Sequence, residues 1–91
     1  MTAGEALALI MSAVRRDAGL LGFTAHALQR MRERRVSEVE VRATILVSGN
    51  CLFGSDDGHW VLFGRTATGV RLRVVFDVEP CVVVTVVKET P

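Results

Sequence analysis

The chain predicts an α+β domain with N-terminal helices packed on one face of a four-stranded antiparallel β-meander. Two observations carry that prediction. Apolar residues recur at helical spacing as far as Val47 and then alternate from Cys51 onward. The alternating segments are joined by short turns, which connect antiparallel neighbours. With 91 residues the chain makes one domain, residues 1–91.

Thr2 to Ala18 reads as the first helix. Ala6, Leu7, Leu9, Ile10, Ala13 and Val14 form its apolar stripe, Thr2 is a cap and Gly19 a stop. Residues 1–19 thus form an N-terminal helix, set apart by the joint Gly19-Leu20-Leu21-Gly22. Thr24 caps a second helix, Ala25 to Arg35. Ser37 caps a third, Glu38 to Val47, with Glu40 completing a capping box and Val36 stapled onto Val41. Val39, Ala43, Leu46 and Val47 are expected to face the core, and Ser48-Gly49-Asn50 to end the helix. Four strands follow: Cys51–Phe53, His59–Arg65, Val70–Val78 and Cys81–Lys88. Turns fall at Gly54–Gly58, Thr66–Gly69 and Glu79-Pro80. In the third strand Val70, Leu72, Val74 and Phe76 share one face, and Arg71, Arg73, Val75 and Asp77 the other. The last strand, with Val82 to Val87 apolar apart from Thr85, has the composition of a central strand.

Composition narrows the function classes. The chain is 49% hydrophobic and 23% charged, which excludes intrinsic disorder and predicts an apolar patch for a second copy or another protein. The net charge of +1 is small for a protein that grips nucleic acid, and the dense basic cluster is Arg30, Arg32, Arg34 and Arg35. No secretory signal or membrane-spanning run is present, so a cytoplasmic location with reduced Cys51 and Cys81 is the expectation. Neither the cysteines nor His26 and His59 have zinc-ligand spacing, so no metal and no cofactor are expected. Phosphate-binding and nucleophile-elbow motifs are also lacking.

Four places carry chemistry. On the second helix, Ala27, Leu28 and Met31 cluster on one side and His26, Arg30, Glu33 and Arg34 on the other. An imidazole beside guanidiniums joins a general base to an anion clamp, as transesterification at an RNA 2′-hydroxyl requires. The competing account is a solvated face with a pairing of the Arg30–Glu33 or Arg34–Glu38 type. Arg71 and Arg73 share a strand face and could hold phosphate oxygens there, against the alternative of a solvated outer face. Thr85 is the one polar residue in its run, as a site residue or as an ordinary strand threonine. His59 is a second candidate acid–base group, although strand-end histidines are commonly plain, and Trp60 beside it reads as core.

At His26-Ala-Leu-Gln-Arg30-Met31-Arg-Glu33-Arg34 the chain resembles a family of small bacterial domains of unknown function. Its members carry a His-Ala-x-x-Arg-Met-x-Glu-Arg helix, then a hydrophobic residue, Ser or Thr, and an acid. A helix ending in glycine and a β-meander follow, closing on a Val-x-x-Val-Thr-Val-like strand. The corresponding residues here are Val36-Ser37-Glu38, Ile45 to Gly49 and Val83-Val84-Thr85-Val86, and the resemblance spans residues 23–88. That family is similar to the RelE, ParE and BrnT toxins, and more broadly to the superfamily of barnase, EndoU, colicin-type ribonucleases and RelE. The resemblance implies a RelE-like fold and a metal-independent endoribonuclease, with His26, Arg30, Arg34 and Thr85 catalytic and Arg71 or Arg73 binding substrate. It implies RNA and a cognate antitoxin as partners. The family's common glycine after the second arginine is Arg35 here. The alternative function is a non-catalytic interaction module forming a homodimer or a partner complex. A DNA-binding regulator is a weaker one, since no recognition helix follows the Arg35-Val36-Ser37 joint.

Overall fold

The computed structural model describes residues 1–16, 21–47, 50–53 and 58–89, with the backbone alone at 50–53. The expected helix end near Gly19, the Ser48-Gly49 stop, the turn over 54–57 and the environment of Cys51 lie outside the described residues.

The chain folds as α1 (Ala3–Arg16), β1 (Gly22–Phe23), α2 (Ala25–Arg34), α3 (Glu38–Val47), β2 (Asn50–Phe53), β3 (Trp60–Arg65), β4 (Arg71–Val78) and β5 (Cys81–Glu89). Each helix starts where its sequence supplies a cap. Thr2 and Glu5 bond reciprocally, Glu5 N–H to Thr2 Oγ1 at 3.1 Å and Thr2 N–H to Glu5 Oε1 at 3.0 Å. Ser37 and Glu40 repeat that box at α3, at 3.1 Å in both directions. Thr24 Oγ1 accepts the Ala27 N–H at 3.0 Å to start α2. Arg35 closes α2 in the left-handed region, φ 55°, and its N–H bonds to the Arg32 carbonyl at 3.2 Å. At the β3–β4 turn, Gly69 takes φ 85° and Thr66 Oγ1 accepts the Val70 N–H at 3.1 Å.

The strands β2, β3, β4 and β5 form the expected antiparallel meander, but the sheet is open and mixed, because β1 adds to it in parallel. The order is β1-β5-β4-β3-β2, with Gly22 opposite Val82 and Phe23 opposite Val83. A purely antiparallel sheet is thus corrected: Gly22, read from the sequence as part of a joint, opens a two-residue strand with Phe23, too short to show periodicity. This places the first part of β5 between two strands, as its two-faced apolar run implies.

All three helices meet one face. Ala6, Ile10, Ala27, Met31, Val41 and Ile45 form one core with Leu62, Leu72, Val74, Phe76, Val83 and Val86. The face of α3 differs from expectation. Val39 and Val47 are each 75% exposed, Ala43 is exposed as well, and Val41, Thr44 and Ile45 turn inward. Val41 follows the staple with Val36. The buried Thr44 hydroxyl donates to the Glu40 carbonyl at 2.8 Å and lies 3.4 Å from the Arg65 carbonyl, so helix α3 is tied to the end of β3 through that face. Val83 and Val86 are both fully buried although three residues apart. A β-bulge explains this: Phe76 pairs with Val83 and Val75 with Thr85, leaving Val84 as the extra residue.

Candidate functional site

The bulge fixes the surface on which the candidate residues lie. Thr24 N–H donates to the Val83 carbonyl at 3.0 Å, and Thr24 Oγ1 donates to the Val84 carbonyl at 2.8 Å. One threonine thus starts α2 and seats it on β5, the strand against which α2 chiefly packs.

On α2, Ala27 and Met31 are buried, while His26 is exposed in the first turn. Arg30 Nη1 contacts Glu33 Oε2 at 3.0 Å, and Gln29 Nε2 donates to Glu33 Oε1 at 3.2 Å. The Arg30–Glu33 pairing weighed from the sequence is therefore present, and it is solvent-screened. Arg34 is half-buried, and its Nη1 is shielded from solvent without a hydrogen-bond partner. Arg42 Nη1 is in the same situation, with its guanidinium 5.4 Å from the centre of the Phe23 ring.

Thr85, Arg71 and Arg73 lie elsewhere. Residues paired across antiparallel strands share a face. Val61, Val75 and Thr85 form one outward row, Phe63, Arg73 and Val87 the next, and Arg65, Arg71 and Glu89 the third. This is the sheet face opposite the buried Val74 and Val86, so Thr85 lies on the other side of the sheet from the core into which α2 packs. The fold puts Thr85, Arg73 and Arg71 on one face, in successive rows. Among the described residues no hydrogen bond or ion pair joins them to His26, Arg30 or Arg34. Arg73 is half-buried, and its Nε is shielded from solvent with no hydrogen-bond partner. At that end of the sheet, Arg65, Arg71 and Glu89 from this face and Lys88 from the other line a depression of about 430 Å³.

The other end of the face holds a contact the sequence reading did not pair. His59 Nδ1 lies 2.6 Å from Asp77 Oδ1, with side chains 28% and 38% exposed. Counting back from the Thr66–Gly69 turn would have found it. Arg65 opposite Arg71 and Trp60 opposite Phe76 put His59 beside Asp77.

Cys81 is half-buried and its thiol is pushed above its ordinary pKa by desolvation. Among the described residues no group of three or more His, Cys, Asp or Glu side chains is arranged to hold a metal ion. No helix among them is long and apolar enough to cross a membrane.

No curated protein and no solved structure matches the chain. Residues 23–88, from the strand that precedes the His26 helix to the end of the meander, match the family described as "Domain of unknown function (DUF4258)", and the chain belongs to that family.

Proposed function

We propose that the chain is a toxin-like, metal-independent endoribonuclease of RelE type, acting in the cytoplasm and held in check by a cognate antitoxin. The observation that carries this reading is the outer sheet face, along which Arg71, Arg73 and Thr85 lie on two paired strands. Guanidiniums hold phosphate oxygens through charge-assisted, often bidentate hydrogen bonds. Arg65 extends the positive potential along the face and Glu89 limits it, while Lys88, opposite the buried Leu72, lies on the other side of the sheet. The family resemblance points separately to His26, Arg30 and Arg34 as a helix-borne catalytic set, on α2 across the sheet from this face.

Induced expression in a bacterial host is the test. The wild-type chain is expected to arrest growth, Arg73→Ala and His26→Ala to relieve the arrest, and a co-expressed antitoxin to restore growth. Harmless wild-type expression refutes the reading. Equal harm from His26→Ala refutes the helix assignment. Binding of single-stranded RNA is expected to weaken with salt, with a log–log slope of about −0.7 per contacted phosphate, and Arg73→Ala removes about one such unit.

A second reading, a non-catalytic module that pairs with itself or another protein, draws on exposed apolar side chains. Leu28 lines a depression of about 300 Å³ with Met31, Arg32, Val36 and Glu38. Light scattering that shows a clean monomer with no co-purifying protein counts against it.

A further inference from the structure

We propose that His59 and Asp77 form a proton-transferring pair on the outer sheet face, with His59 Nε2 as the acting atom in RNA cleavage. This inference rests on the endoribonuclease reading and adds a catalytic group on the face that holds the substrate.

Three observations carry it. The 2.6 Å separation between Nδ1 and Oδ1 is that of a charge-assisted hydrogen bond. A carboxylate only accepts, so Nδ1 carries the proton, and in the neutral imidazole Nε2 is the nitrogen with the lone pair. Both side chains are partly exposed, so a ligand reaches them. Asp77 also alternates with Val75 and Arg73 along β4, which puts the pair on the same face as Thr85 and the arginines. By contrast His26 is exposed, and no hydrogen bond among the described residues orients its ring.

The chemistry balances without a further reagent. His59 Nε2 takes the proton of a ribose 2′-hydroxyl as the 2′-oxygen bonds to the adjacent phosphorus. The bond from phosphorus to the 5′-oxygen breaks, and water gives the leaving oxygen its proton. The imidazolium, stabilised by the Asp77 carboxylate, then returns its proton to the hydroxide. The products end in a 2′,3′-cyclic phosphate and a 5′-hydroxyl. Asp77 is a positioning residue, since it acts through His59. Arg73 lies four residues from Asp77, about 13 Å at the rise of a strand. It is therefore placed to hold a phosphate further along the same strand of RNA rather than the scissile one.

The test uses the purified full chain and a fluorogenic single-stranded oligoribonucleotide. His59→Ala is expected to slow cleavage by about 10²- to 10⁴-fold, and added imidazole to restore part of the rate. Asp77→Asn is expected to lower kcat at least about tenfold with little change in KM, since binding is left intact. Cleaved ends should carry the cyclic phosphate. Wild-type cleavage that survives His59→Ala overturns the pair and leaves the endoribonuclease reading standing. A loss that imidazole does not restore, in a variant whose circular dichroism matches wild type, also overturns it. Should His59→Ala fail to fold, Asp77→Asn decides, and an unchanged kcat overturns the pair. A wild-type chain that leaves RNA intact overturns both inferences.

Discussion

Replacing Thr24 by alanine removes two hydrogen bonds made by a single oxygen. Oγ1 accepts the Ala27 N–H at 3.0 Å and donates to the Val84 carbonyl at 2.8 Å. Loss of an N-cap costs about 1 kcal/mol. The part-buried Val84 carbonyl, left without that donor, adds roughly 1–2 kcal/mol. The sum is about 2–3 kcal/mol, a large share of the stability of a domain this size. At about 4–8 °C per kcal/mol for a domain near a hundred residues, Tm should fall by roughly 10–20 °C. Thr24→Ser keeps the oxygen and should lose less than about 1 kcal/mol. Thermal and urea unfolding followed by circular dichroism measures both. If alanine and serine destabilise equally, the hydroxyl does not join α2 to the bulge in the way described. A loss for alanine below about 0.5 kcal/mol refutes the reasoning altogether.

Two further predictions concern local conformation and pH. Arg35 sits at φ 55°, so Arg35→Gly should stabilise the chain by about 0.5–1 kcal/mol, visible as a raised urea midpoint with unchanged m-value. The Thr2 N–H and hydroxyl hold the Glu5 carboxyl below its ordinary pKa. Its contribution is therefore complete above the ordinary glutamate value and is lost as pH falls through the lowered one. Glu5→Gln should flatten that part of the acid limb in pH-dependent unfolding.

Local rules carried the helices, because caps are written in adjacent residues. Thr2 with Glu5, Thr24, and Ser37 with Glu40 act in the structure as their spacing suggests. The meander was legible from the change of period, and the two faces of β4 from its alternation. What failed was what neighbours in sequence do not determine. Helix α3 is apolar nearly all round, so only the staple of Val36 onto Val41 marked its buried side, and the Arg65 carbonyl that Thr44 approaches lies 21 residues away in sequence. The strand β1 has two residues and no period. The bulge at Val84 is invisible in a run of valines, yet it turns both Val83 and Val86 inward. Within the candidate site, the grouping of Arg71 with Arg73 followed from alternation. Placing Thr85 beside them and His59 beside Asp77 needed the register between strands.

The bond from Thr24 to Val84 spans 60 residues of chain. Its consequence is kinetic. Closing a loop of that length costs entropy before any contact within it is gained. Helix α2 can flicker into shape early, but its seat is not available until β5 has been made and paired. During synthesis β5 emerges after the other four strands, so the outer face with Arg73 and Thr85 and the anchoring of the His26 helix are completed by the same strand. A chain interrupted before Cys81 would hold the entire helix motif and none of the surface it is anchored to.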